Sequence, residues 1–201
     1  MKKLWFILIA CLCIGVLSAC KDDGTKYRLN DEGDGYIITS FVCEGADITI
    51  PSTYKELPVV GIEDIVYPSD SAVLNVYYQG DVADWCKISF KDAGRNPLYA
   101  GANLYIDNEL VTELVIPETV TEIKENAFYG CGSLTSVKIP DTVTNIGEDA
   151  FSECDKLTSA EIGNGVTSIG GCFCFNDSLR NVSVNRATLP SLHPQNNCCT
   201  L

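Results

Sequence analysis

The side chains able to do covalent or metal chemistry in this chain of 201 residues are sparse and poorly placed for it. Its one histidine, His193, lies in Pro190-Ser-Leu-His-Pro-Gln-Asn-Asn, with nothing in the pattern to fix a partner beside it. A serine or cysteine triad needs a histidine to carry the nucleophile's proton, so no triad is predicted and His193 reads as a solvated loop residue. Eleven cysteines look richer. Yet Cys172-Phe-Cys174 has a single intervening residue where zinc sites have roughly two to four, and no histidine stands nearby. Cys198-Cys199 sit in a terminal segment that the pattern does not place. Glu118, Asp141 and Asn164 share one turn position, which fits either weak calcium binding along an edge or ordinary turn chemistry. No glycine-rich phosphate loop follows a strand, so nucleotide binding has no support. The prediction is a non-enzyme with no catalytic residue, no cofactor and no metal.

What would position any of these residues is a repeat. Val111-Thr-Glu-Leu-Val-Ile-Pro-Glu-Thr-Val-Thr-Glu-Ile returns 23 residues later as Leu134-Thr-Ser-Val-Lys-Ile-Pro-Asp-Thr-Val-Thr-Asn-Ile. It returns again as Leu157-Thr-Ser-Ala-Glu-Ile-Gly-Asn-Gly-Val-Thr-Ser-Ile, and a fourth copy opens at Leu179. A fixed period of this size marks a leucine-rich repeat solenoid, each repeat one coil stacked on the last. Val137-Lys138-Ile139 alternates as a strand with one buried face. Pro140-Asp141-Thr142 reads as a turn, Val143 to Ile146 as a second extended piece, and Glu148 to Cys154 as a single helical turn that buries Phe151. The fold class predicted is a β-rich solenoid of short parallel strands with a single-turn helix in each 23-residue repeat. One coil cannot bury enough apolar surface to offset its own ordering, so neighbours must share a core. Cys131 and Cys154 then stack about 5 Å apart, the spacing of paired strands, and read as small buried residues more readily than as a disulfide.

The consensus Ile-Pro-x-x-Val-Thr-x-Ile-x-x-x-Ala-Phe-x-x-Cys closely resembles the BspA-like leucine-rich repeats of bacterial surface proteins. The resemblance runs over about residues 41–184 and is firmest at 103–179. Upstream, Val76-Tyr-Tyr-Gln-Gly, Asp84-Trp-Cys-Lys-Ile and Asn96-Pro-Leu-Tyr are similar to an irregular stretch found between such repeats. Ile48-Thr-Ile-Pro51 with Val59 to Ile62 looks like an earlier repeat carrying an insertion at Tyr54 to Pro58. The resemblance implies adhesion to host or matrix proteins or to other cells, and it brings no catalytic residues.

The N-terminus carries an address. Lys2-Lys3 precede an apolar run from Leu4 to Leu17, and Leu17-Ser-Ala-Cys20 matches a lipobox, which makes Cys20 the lipidation site. Lys21-Asp22-Asp23 resembles a signal for the outer face of the outer membrane in some Gram-negative bacteria. The expected domains are a signal peptide at 1–19, lipidated cysteine and tether at 20–35, and a divergent N-terminal repeat with irregular capping stretch at 36–110. Regular repeats follow at 111–184 and an irregular tail at 185–201. A small strand pair is expected between Tyr27 and Val42, around Gly33-Asp34-Gly35. The formal charge of −13, more negative once Lys2 and Lys3 are removed, argues against nucleic acid or an anionic membrane surface as partner.

Two surfaces are then available. Stacking the strands in register gives outward columns Thr112, Thr135, Thr158, Arg180; Glu113, Ser136, Ser159, Asn181; and Val115, Lys138, Glu161, Ser183. Such a polar, shallow face suits an extracellular protein or glycan, and a merely solvated sheet face explains it as well. The second surface is an aromatic patch, Tyr77, Tyr78 and Trp85 with Tyr99 and Tyr105. These rings either stack on sugars or close the core where the repeat fails. The sequence therefore predicts a lipid-anchored surface protein that binds host, matrix or microbial macromolecules, with a glycan-binding lipoprotein for nutrient capture as the alternative.

Overall fold

A computed structural model describes residues 24–43, 45–67, 74–99, 101–169, 171–184, 191–193 and 198–200. The expected signal at 1–19, the lipidated Cys20 and most of the tail at 185–201 lie outside these residues.

In chain order the strands are β1 (Lys26–Leu29), β2 (Tyr36–Val42), β3 (Asp47–Ile50), β4 (Thr53–Tyr54), β5 (Leu57–Ile62), β6 (Ile65–Val66) and β7 (Asn75–Tyr78). A four-residue helix α1 (Val82–Trp85) precedes β8 (Ser89–Phe90), and a 3-10 turn spans Ala93–Arg95. Next come β9 (Asn103–Ile106), β10 (Glu109–Leu110), β11 (Glu113–Val115), β12 (Glu122–Ile123), β13 (Ser136–Ile139) and β14 (Asn145–Ile146). The last are β15 (Ser159–Ile162), β16 (Ser168–Ile169), β17 (Asn181–Val184), β18 (Ser191–His193) and β19 (Cys198–Thr200).

The parallel solenoid predicted from the repeat is present. β11, β13, β15 and β17 pair in parallel as one sheet, with Leu114 beside Val137, Val137 beside Ala160, and Ala160 beside Val182. β12, β14 and β16 form a second parallel sheet from the second extended piece of each coil. Between them runs the shared interior. Phe128, Phe151 and Phe173 are fully buried and stack as a spine with ring centroids 5.2 Å apart.

The single helical turn expected at Glu148 to Cys154 is replaced by a run of tight turns. The reason is hydrogen-bond supply. Ala127, Tyr129 and Cys131 donate locally to Lys124, Asn126 and Phe128, whereas Asn126, Phe128 and Gly130 donate to Glu148, Ala150 and Ser152 of the next coil. A turn of helix would direct its N–H groups along its own axis, and these sideways bonds to the neighbouring coil would be lost. Left-handed residues break the helical path: Asn126 at φ 59° and Gly130 at φ 71°, then Asp149 at 54° and Glu153 at 56°. Elsewhere coils approach too closely for a side chain. A Cβ on Gly165 would lie 1.8 Å from the Asp141 carbonyl oxygen, which is why Gly-Asn-Gly can stand in the third copy.

Upstream the coils continue less regularly. β3, β7 and β9 pair in parallel, and β2, β5 and β8 form the corresponding second face. The expected N-terminal strand pair is β1 with β2, antiparallel and starting at Lys26. The insertion at Tyr54 to Pro58 is a hairpin turning on Lys55 and Glu56, both at positive φ. A second hairpin, unforeseen, is built into the coil that opens the regular array. β9 folds back as β10 across Asp107-Asn108, and Val111 then donates to the Leu104 carbonyl, so residues 105–110 loop out of the coil. Consequently the next coil meets this one on both sides of the loop, Gly132 donating to Ala102 and Thr135 to Thr112.

His193 does not lie in a loop: its backbone belongs to β18, which pairs with β19.

Candidate functional site

The outward columns form as the repeat predicts. Glu113, Ser136, Ser159 and Asn181 are register partners, as are Val115, Lys138, Glu161 and Ser183. Alternation within each strand puts Leu114, Val137 and Ala160 inside and leaves these residues outside. Together they line a shallow concavity of about 360 Å³. Within it Lys138 pairs with Glu161 at 3.1 Å, both well exposed. Such a pair contributes at most about 1 kcal/mol and leaves both groups open to exchange for a partner's charges. Val115, 62% exposed, gives this polar face an apolar end.

The threonine column is less available than the sequence implies. The Thr135 hydroxyl donates to the Thr112 carbonyl at 2.8 Å, and Thr158 donates to the Thr135 carbonyl at 3.0 Å. Those protons hold coil to coil, so a partner meets methyl groups and lone pairs there.

The aromatic patch divides. Tyr78 and Trp85 are buried, packed edge to face with centroids 5.0 Å apart, and neither presents a ring face to a ligand. Trp85 is fixed from both ends: its indole N–H donates to the Ala127 carbonyl at 2.8 Å, and its ring also meets Phe90. Burial pushes the Tyr78 hydroxyl well above its ordinary range. Trp85 thus closes the core where the regular repeat begins. Tyr77, in contrast, is partly exposed and stacks on Tyr105 at 4.6 Å, while half-exposed Tyr99 stacks on Tyr129 at 6.1 Å. Beside Tyr77 and Tyr105, Asn103 donates to Asn75 and Asn75 to Asp47, a side-chain ladder that joins three coils.

The remaining chemistry is structural. Asp141 accepts from the backbone N–H of Asn164 in the next coil at 2.7 Å, which is turn chemistry of the kind weighed against calcium. No cluster of three or more metal-ligating side chains occurs among the described residues. Cys86, Cys131 and Cys154 are reduced and buried, and burial raises each thiol, Cys86 to about 12. Cys174 is disulfide-bonded. Thiols so shielded are poor nucleophiles. Two buried asparagines bracket the array and were not singled out from sequence. Asn176 donates to the Phe151 and Phe173 carbonyls and accepts from the Cys154 N–H; Asn96 donates to Asn126 and Ala127. Asn176 stands where the preceding coils have Cys154 and Cys131, and that substitution was the one available signal.

One family of known proteins agrees with this architecture. Residues 101–193 match the family described as BspA type leucine-rich repeat region, in six copies. No curated protein matches significantly. Among solved structures, the chain is similar to a leucine-rich repeat protein of T. pallidum, with 20% identity, 82% of each chain covered and a TM-score of 0.46. It is also similar to a leucine-rich cell surface protein from Faecalibacterium prausnitzii A2-165, with 14% identity, 83% of this chain and 94% of that one covered, and a TM-score of 0.26. Leucine-rich repeat proteins generally bind protein partners and are typically not catalysts. The matched family, the repeated consensus and the parallel coils together identify residues 101–193 as a BspA-type leucine-rich repeat region.

Proposed function

We propose that this is a lipid-anchored cell-surface protein that binds a host, matrix or microbial macromolecule and performs no catalysis. The observation that carries the reading is the in-register outer face of β11, β13, β15 and β17, shallow, mixed in charge and apolar at one end. A broad surface of this kind suits a protein partner better than a small substrate, which needs a deep enclosed site. The anchor is Cys20, and the outer membrane surface is the compartment this reading assigns. Full-length protein, solubilised in detergent, should bind members of a panel of matrix proteins or cells, and alanine at Thr135, Ser136 and Lys138 together should weaken that binding. Failure to bind across broad panels would remove the reading.

The glycan alternative now rests on Tyr77 and its stacked neighbour Tyr105, because Tyr78 and Trp85 are buried. It predicts glycan-array binding that Tyr77→Ala reduces and the strand-column variant does not.

A further inference from the structure

The 105–110 hairpin belongs to no repeat, yet it adds β10 to the sheet of β3, β7 and β9. Its turn residues Asp107 and Asn108 both have positive φ, at 53° and 61°. That is the two-residue turn whose twist matches the strands it joins, so the protrusion is held by its own backbone. Register carries an apolar stripe onto it. Leu104 and Ile106 are buried, so alternation turns Tyr105 outward, beside Tyr77 of β7 on one side and Leu110 of β10 on the other. Leu110 is 43% exposed, and shortly after it Val115 is the most exposed of the large apolar residues described. A leucine held outward on a tight hairpin adds little to the core, and exposed apolar side chains gathered in this way mark a contact surface.

The stripe is set among acids. Between Arg95 and Lys124 the chain carries Asp107, Glu109, Glu113, Glu118 and Glu122, and neither lysine nor arginine. Asp107, Glu109 and Glu113 are exposed and make no ion pair with any described residue. On the strands of this face, β3, β7, β9, β10, β11 and β13, the acids are Asp47, Glu109 and Glu113, and the one cation is Lys138. Lys138 is already held by Glu161, and Asp47 accepts from Asn75. The surplus is negative, and it belongs to the residues that flank Leu110 and Val115.

We propose that this stripe docks a basic segment of a protein partner, with an apolar side chain of that segment on Leu110 and Val115 and its lysines or arginines on Glu109, Glu113 and Asp107. The inference rests on the outer face being the partner-binding surface, and it adds where on that face contact centres and what chemistry the partner brings. Because the hairpin is fixed by its own turn, little ordering is lost when it is bound. Leu110 and Val115 are aliphatic and give a sugar ring no aromatic face, which favours a protein segment over a glycan here.

Fluorescein-labelled Lys-Leu-Lys-Leu-Lys, Lys-Ser-Lys-Ser-Lys and Glu-Leu-Glu-Leu-Glu peptides, titrated with the full-length protein in detergent, test it. The Lys-Leu peptide should bind best, and more weakly as salt rises. Glu109→Lys with Glu113→Lys should weaken it by at least about tenfold. Glu125→Lys with Glu148→Lys, which changes the net charge equally away from the hairpin, should not. Leu110→Ser with Val115→Ser should abolish the preference for the Lys-Leu over the Lys-Ser peptide. All these side chains are exposed, so the variants should keep wild-type circular dichroism. Equal losses from the two charge variants, equal binding of the Lys-Leu and Lys-Ser peptides, or equal binding of the Glu-Leu peptide would each overturn the proposal. A matrix or cell partner lost with the Thr135, Ser136 and Lys138 alanine variant but indifferent to Leu110→Ser with Val115→Ser would overturn it and leave the broader reading standing.

Discussion

Glu153 occupies a left-handed position that an earlier coil gives to Gly130. A residue with a Cβ costs roughly 1–2 kcal/mol in that conformation, and glycine avoids it. Glu153→Gly should therefore raise stability by about 0.5–1 kcal/mol, read from the urea midpoint, with part of the gain lost to unfolded-chain entropy. Glu122 makes a pH prediction. Hydrogen bonds from Lys124, then from Asn145, hold its carboxyl below the ordinary 4.5. A depressed folded-state pKa stabilises the fold above the unfolded value, and the benefit disappears as pH falls through the folded value. Glu122→Gln should thus be less stable than wild type at pH 6, and the gap should close as pH falls through the depressed folded-state value, again by urea titration. A gap that widens towards acid would show that another group is responsible. Which residues face inward was legible in the sequence, because alternation fixes it. The commitment of the threonine hydroxyls to neighbouring carbonyls was not, since polar and exposed describes a ligand-binding threonine equally well.

At the scale of elements, the strands were legible and the turns between them were not. A 23-residue recurrence aligns Leu114, Val137 and Ala160 without any knowledge of coordinates. Whether Glu148 to Cys154 is helical depends instead on where its N–H groups go, which only the neighbouring coil decides. The 105–110 hairpin was hidden for a related reason: it occurs once, and a repeat comparison sees only what recurs. The buried asparagines carry a prediction at this scale. Asn176→Ala removes the partners of the Phe151 and Phe173 carbonyls and of the Cys154 N–H. At about 1–3 kcal/mol for a buried polar group left unpaired, the loss should reach at least about 2 kcal/mol, even though the asparagine touches no ligand. Hydrogen exchange should quicken first at residues 151–176 and leave β3 and β7 unchanged.

As a whole molecule the protein is a stack whose coils touch mainly their neighbours. Deleting Leu134 to Lys156 removes one period and brings Leu157 to the place of Leu134. Stability in such an array is close to a sum over coils and their contacts, so the shortened chain should fold cooperatively with a lower midpoint and a smaller denaturant slope. Loss of all folding would mean that the array is not built from interchangeable coils. The candidate binding face was legible to the same extent as the stack: register partners such as Ser136 and Ser159 follow from the period. The aromatic patch was only half legible, because burial of Tyr78 and Trp85 is decided by the irregular coil that repeats nowhere.

The central claim is that partners meet the protein on the outer face of the strand columns. A photo-crosslinking amino acid placed at Ser136, at Ser159 or at Glu148 of the protein on intact cells tests it most directly. Exposure to matrix proteins or host cells followed by irradiation should give adducts from positions 136 and 159 and none from 148. Adducts from 148 alone, or none from 136 and 159 while the cells still adhere through this protein, would contradict the account.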